Sequence, residues 1–262
     1  MPPTKQTEIQ LLRPKKKCKT VKKIDTSYKV YAIKDVGNRN LRAPLMSPNV
    51  IFKNPHFVVI DKPVATLSVP SRLGRKDPRP VAGILLQEFL GTQIYPLHRL
   101  DEDTSGLLIF ALNAAASRAG NQWFESHEIV KTYEALSISI DPSDMPQWRN
   151  EQTWECKLMR GKKRAYEANF GKPSVTKSQF MGHSKSNRSV WQLIPITGRS
   201  HQLRYEMARH GFPIDGDQLY GSKVAAGSAP GIDLRAFKLD FKNCSNRSAF
   251  DLPDELRVPG LT

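Results

Sequence analysis

Leu107, Leu108, Ile109, Phe110 and Leu112 make a short apolar run closed at its front by Thr104-Ser105-Gly106. A run of that length between turn residues reads as a buried strand. Directly ahead of it, His98-Arg99-Leu100-Asp101-Glu102-Asp103 sets two basic groups and three carboxylates at the strand entrance. Two readings follow: a site at the mouth of the strand, or a solvated turn whose corner is Ser105-Gly106.

The 262 residues suffice for one large domain, or for a catalytic domain with an appendage. No apolar stretch approaches the ~20 residues of a membrane span, and the first residues lack the order of a signal peptide, so no membrane partner and a cytoplasmic location are expected. Cys18, Cys156 and Cys244 are widely spaced and read as free thiols. The net charge of +15 favours a polyanionic partner. Residues 1–43 carry net +9 of it and the remainder +6. With Pro2, Pro3, Pro14 and the runs Lys15 to Lys17 and Lys22-Lys23, residues 1–43 read as a partly flexible basic arm that contacts phosphates without reading sequence. A short strand over Tyr28 to Ile33 is compatible with that, and a solubilising tail is the plainer use. Residues 44–262 are then the main domain.

Along that domain, Val50 to Phe52 and Phe57 to Ile60 read as strands joined by an Asn54-Pro55 turn, and Asp61-Lys62-Pro63 stops the second. Residues 70–80 make a basic loop. Val81, Ile84, Leu85 and Phe89 then mark an amphipathic helix with Gly91 as its C-cap. Ala114 to Glu128 has helical composition, and Thr132 to Ile140 alternates like a strand until Asp141-Pro142. Val175 to Met181 and Val190 to Ile196 form a hairpin across His183 to Ser189. Ser200 to His210 is helical and exits at Gly211, and Leu234 to Phe241 is a last strand. The mixture predicts an α+β fold on a largely antiparallel sheet flanked by helices and loops.

Three clusters carry chemistry: His98 to Gly106, Lys131-Thr132-Tyr133 at a strand start, and Thr197-Gly198-Arg199-Ser200-His201-Gln202-Leu203-Arg204, a turn entering a helix N-terminus where anions are favoured. Each has a plain structural use, Tyr133 as a core residue, Arg199 and Arg204 as surface charges, His201 as a polar residue of the first turn. No metal-ligand repeat such as His-Glu-x-x-His and no phosphate-cradling glycine pattern occurs.

Together the clusters resemble the RNA pseudouridine synthases that modify ribosomal and transfer RNA and carry a His-Arg-Leu-Asp signature. Here His98-Arg99-Leu100-Asp101 with Thr104-Ser105-Gly106, then Lys131-Thr132-Tyr133, then Gly198-Arg199-Ser200-His201-Gln202-Leu203-Arg204 stand for that family's motifs, within a resemblance from about Val50 to Phe241. Ser200 replaces a commoner Thr, and Glu102 stands where the family often has a basic residue. The resemblance implies the pseudouridine synthase fold and cofactor-free, metal-free isomerisation of a uridine in structured rRNA or tRNA by a monomer. Asp101 is then the catalytic carboxylate, as nucleophile or base, and Arg199 its guanidinium partner. Tyr133 is a further catalytic residue that stacks on the uracil and whose hydroxyl assists proton removal from C5, with Leu234 as an apolar wall opposite. Arg99 enters the position the flipped base leaves, His98 supports the loop or meets RNA, and Lys131 and Arg204 bind phosphates. Two other readings use the same residues: a non-catalytic RNA-binding or assembly factor that keeps the fold, and a metal-dependent nuclease using Asp101 and Asp103.

Overall fold

The computed structural model describes residues 47–139, 145–227 and 231–262. The arm over 1–43, the strand expected at Tyr28 to Ile33, Cys18 and the Asp141-Pro142 stop lie outside the described residues. Those described fall in the unit Leu45–Thr262.

In chain order the strands are β1 (Asn49–Lys53), β2 (Phe57–Lys62), β3 (Tyr95–Pro96), β4 (Ser105–Ala111), β5 (Val130–Ser137), β6 (Gln152–Arg160), β7 (Ala165–Glu167), β8 (Lys172–His183), β9 (Ser189–Pro195), β10 (Leu234–Asp240) and β11 (Glu255–Arg257). The helices are α1 (Ala82–Leu90), α2 (Ala114–Glu125), α3 (Met145–Arg149) and α4 (Gln202–Arg209). Among the described residues the strands join one sheet in the order β1-β2-β4-β10-β5-β9-β8-β6-β7, with β3 on β4 and β11 on β10. Only β4 and β10 pair in parallel, so the sheet is mixed and largely antiparallel, as the sequence predicts. No helix among the described residues is long and apolar enough to cross a membrane.

Local chemistry sets the element ends. Asn54 Oδ1 accepts from the His56 and Phe57 amides at 2.8 and 2.7 Å, fixing the turn between β1 and β2. Asn113 caps α2 by accepting from the Ala116 amide at 2.9 Å. Gly91 closes α1 in the left-handed region, φ 63°.

Strands β2 and β4 are buried on both faces. Val58, Ile60, Leu108 and Phe110 share one core with Leu86 of α1 and Leu203 and Met207 of α4. Phe57, Val59, Leu107 and Ile109 share the other with Ala116 and Trp123 of α2. Double-sided burial explains why β4 reads as continuous apolar sequence rather than as alternation.

One row of the register places the functional loop. Gly106 on β4 lies opposite Ala236 on β10, Ala236 opposite Tyr133 on β5, and Tyr133 opposite Leu193 on β9. Gly106 has φ 110°, and a Cβ there would lie 2.2 Å from the Ala236 carbonyl oxygen. Only glycine lets β10 close onto β4 at this point. The strand entrance at residues 98–104 and Tyr133 are thereby held on the two strands that flank β10.

Two expectations change. Strand β5 runs two residues earlier than Thr132 and stops at Ser137, whose hydroxyl accepts from the Trp191 indole at 3.1 Å; Ile138 beyond it is exposed. Helix α4 starts at Gln202 rather than Ser200, because His201 adopts the left-handed conformation, φ 54°, at its N-cap.

Candidate active site

A cleft of 590 Å3 opens at the entrance to β4, within the 300–1,000 Å3 usual for ligand sites. Asp101, Glu102 and Asp103 line it, with Leu67 to Arg72 and Arg79 on one rim and Arg160, His201, Arg204 and Asp217 on the other. The site reading of His98 to Gly106 therefore prevails over the solvated turn: Leu100 and Thr104 are buried, and the Thr104 amide closes the loop on the Asp101 carbonyl at 3.2 Å.

Lys62 holds the floor of this loop. Fully buried, its ammonium donates to the carbonyls of Pro63 at 2.8 Å, Thr66 at 2.7 Å and Glu102 at 3.0 Å. Burial pushes its pKa down to about 8, against the pull of Asp103, Asp101 and Glu102. Sequence reasoning took Asp61-Lys62-Pro63 only as a strand stop. Removing the ammonium strands three acceptors, so Lys62→Met is expected to lower the unfolding free energy by about 3 kcal/mol. A urea titration in which the midpoint falls and the slope holds would show it.

Glu102 ion-pairs with Arg79, which also chelates Asp77 at 2.6 and 2.8 Å. Where a basic residue is commoner in the resembling family, this chain ties the loop of residues 70–80 to the catalytic loop instead.

The guanidinium beside the loop carboxylates belongs to Arg204, not to Arg199 as expected. The Arg199 Nε donates to the Pro173 carbonyl at 2.8 Å in an exposed position. Arg204 is 5% exposed, bonds both carboxylate oxygens of buried Asp217 at 2.6 and 2.8 Å, and reaches Asp103 at 4.0 Å. Burial opposes its charge, but Asp217, followed by Asp101 and Asp103, more than offsets that and raises its pKa. Such a buried bidentate ion is a fixed electrostatic element whose charge is committed to Asp217 rather than held out to solvent.

The other expected residues separate similarly. Arg99 is exposed in the cleft and has no hydrogen-bond or ion-pair partner among the described residues. His98 turns inward: its Nε2 accepts from the Ile109 amide at 3.2 Å and its ring stacks on Phe124, centroids 4.9 Å apart. Burial, then the Lys131 charge, pushes its pKa down to about 3, so it is a neutral prop rather than an RNA contact. The Lys131 ammonium lies 5.7 Å over the Phe124 ring and burial lowers its pKa; it does not line the cleft as a phosphate binder should. Tyr133 is buried, and burial together with the Asp101 charge raises its pKa, keeping the phenol protonated. Leu234 packs in the core cluster with Tyr133, whereas Ile232, two residues earlier, reaches the cleft wall.

Asp101 is partly exposed, at 23%, with one oxygen 4.0 Å from His201 Nε2. Sequence reasoning kept His201 within the third cluster without assigning it a role at the site, and gave none to Asp217 or Arg160. A signal for the inward turn of Arg204 was present, since it lies only about 60° around the helix from Met207 at 100° per residue, within the inward arc. Among the described residues no group of three His, Cys, Asp or Glu is placed to hold a metal ion.

Asp101 and the Arg204 guanidinium line one cleft on this sheet, and buried Tyr133 lies within reach of the Asp101 charge; the chain belongs to the RNA pseudouridylate synthase family, isomerases that act on RNA, whose model matches residues 56–209. It is 33% identical over 195 residues to the dual-specificity RNA pseudouridine synthase RluA of Pasteurella multocida (strain Pm70), covering 74% of this chain and 87% of the relative. The protein of the same name from Escherichia coli (strain K12) is 35% identical over 197 residues, covering 71% and 83%. Human RNA Pseudouridylate Synthase Domain Containing 1 superposes with a TM-score of 0.62 at 22% identity, covering 84% of this chain and 86% of that one, a likeness of fold.

Proposed function

We propose that residues 44–262 form the catalytic domain of a cytoplasmic, monomeric, cofactor-free synthase in which Asp101 converts one uridine of a structured ribosomal or transfer RNA to pseudouridine. The supporting observation is a cleft of nucleotide size in which Asp101 is accessible while the groups around it are buried and fixed. The non-catalytic reading is not favoured, since an assembly factor has no use for an accessible carboxylate set between Arg204 and Tyr133.

The reaction breaks N1–C1′, turns the uracil and joins C5 to C1′; the proton leaves C5 and N1 gains one, with no change of oxidation state. Asp101 acts at the sugar, as nucleophile on C1′ or as base at C2′. Arg204 supplies the fixed positive charge that faces the carboxylate, the role expected of Arg199. The Tyr133 ring holds the detached uracil, and Ile232 walls the opposite side in place of Leu234. A base stacked within a helix cannot offer both C1′ and C5 to Asp101, so the nucleotide must be extruded, at a cost of a few kcal/mol. Arg99, free and at the cleft mouth, fills the space left behind. The exposed Arg72, Lys76, Lys162 and Lys163, with the arm over residues 1–43, bind phosphates and position the RNA.

With RNA tritiated at uridine C5, stoichiometric tritium release is expected, undiminished by excess chelator and without strand cleavage. Tight RNA binding with no release on any cellular RNA fraction would restore the assembly-factor reading, and chelator-sensitive cleavage the nuclease.

A further inference from the structure

The geometry points to His201 as a positioning residue that aims an Nε2 proton at Asp101, its tautomer dictated by Tyr220 and the backbone of β7. This rests on Asp101 being the reacting carboxylate. The chain of bonds starts at Ala165, whose amide donates to the Tyr220 hydroxyl oxygen at 2.7 Å. That hydroxyl also lies 3.1 Å from His201 Nδ1. A phenol has one proton to give, and a backbone amide can only donate. With Ala165 occupying an oxygen lone pair, Tyr220 gives its proton to Nδ1, and a neutral imidazole that accepts at Nδ1 carries its proton on Nε2. Nε2 is the atom 4.0 Å from Asp101 Oδ1. The opposite tautomer would aim two donors at one phenol oxygen, leave the phenol proton without an acceptor among the described residues, and turn a lone pair toward the carboxylate.

Each member of the chain is held. The Arg204 guanidinium covers the Tyr220 ring at 5.4 Å, and burial pushes the Tyr220 hydroxyl up to about 12, so it keeps its proton at neutral pH. His201 sits in the left-handed region, φ 54°, a conformation uncommon outside glycine that turns it into the cleft rather than along α4. Burial, Arg204 and Arg160 favour its neutral form, while Asp101 and Asp217 pull the other way, with a net lowering of its pKa. The separation from Asp101 is long for a hydrogen bond, as is common for catalytic pairs before substrate tightens them. Because Ala165 directly follows the exposed tip Lys162-Lys163-Arg164, the Nε2 proton points at Asp101 only while β7 is seated.

Two measurements on the full chain test this. In imidazole-15N-labelled protein at pH 7, with His201→Gln used to assign the resonance, His201 is expected to show the neutral Nε2–H pattern in long-range 1H–15N spectra. Tyr220→Phe is expected to give a mixture of tautomers. In single-turnover tritium release, His201→Asn, which lacks a donor at the Nε2 position, is expected to slow the chemical step about 10- to 100-fold with RNA affinity within about twofold. His201→Gln, whose amide nitrogen falls near Nε2, is expected to recover most of that loss. An Nδ1–H tautomer, an imidazolium at pH 7, or equal defects in the Asn and Gln variants would overturn the proposal. Full activity in Asp101→Asn would instead remove the underlying reading of the site, whereas the wrong tautomer alongside an inactive Asp101→Asn would remove only the role of His201.

Discussion

Asp101→Asn is expected to abolish pseudouridine formation, a loss on the order of 10^4-fold or more in tritium release, with the protein otherwise intact. The substitution is nearly isosteric and removes only the charge and the basic lone pairs. Among the described residues the Asp101 side chain makes no hydrogen bond, and His201 Nε2 lies 4.0 Å from it. What closes the loop is its backbone carbonyl, which accepts from Thr104 and survives the change. Unfolding free energy should therefore move by less than about 0.5 kcal/mol, the range of substitutions away from buried networks. RNA affinity should hold or rise slightly, because a negative charge has been taken from a site that receives phosphates. Thermal melting, filter binding and tritium release on one preparation separate these effects. More than a tenth of wild-type activity would end the assignment of the reaction to Asp101.

How much of this was legible beforehand depended on what each element had to bury. Strand β4 and helix α1 announce themselves because apolar residues between Gly and Pro punctuation leave few alternatives. The Asn54 turn and the Gly91 cap are equally legible, each residue type answering a local backbone need. Strand β6 is not, since in Gln152–Arg160 only Trp154 and Leu158 are buried and the rest, Cys156 and Met159 apart, is polar or charged. Its longer pairing is with β8, beyond the short hairpin it makes with β7, and lies outside any local window of sequence. The site divides along the same line. Asp101 and Tyr133 are readable from motifs tied to strand starts, but partners are set by tertiary packing. Arg199 and Arg204 are five residues apart in one motif, and what separates them is a carboxylate, Asp217, placed beyond the end of α4. Leu234 and Ile232 differ by two positions on one segment, and the bend of the chain before β10 decides which of them reaches the cleft.

The same distinction between the two arginines gives the second large effect. Arg204→Ala is expected to destabilise the fold by about 3–5 kcal/mol, because it leaves Asp217, 1% exposed, as an uncompensated buried charge. It should also abolish tritium release, and at a temperature where the variant is still folded the loss must come from Asp101 losing its fixed guanidinium. Arg199→Ala gives up one exposed bond to the Pro173 carbonyl and should stay within about 1 kcal/mol of wild type with activity within about threefold. Stability and chemistry can be pulled apart at Arg204 itself. Replacing both partners of a buried ion pair by apolar residues of similar volume is often near neutral, so Arg204→Met with Asp217→Leu is expected to regain most of the lost stability. It should regain none of the activity, since the fixed guanidinium facing Asp101 and Asp103 would still be missing. Recovery of turnover in the double variant would mean that Arg204 matters only as a strut, and an Arg199→Ala defect as deep as that of Arg204→Ala would return the electrostatic role to the exposed arginine.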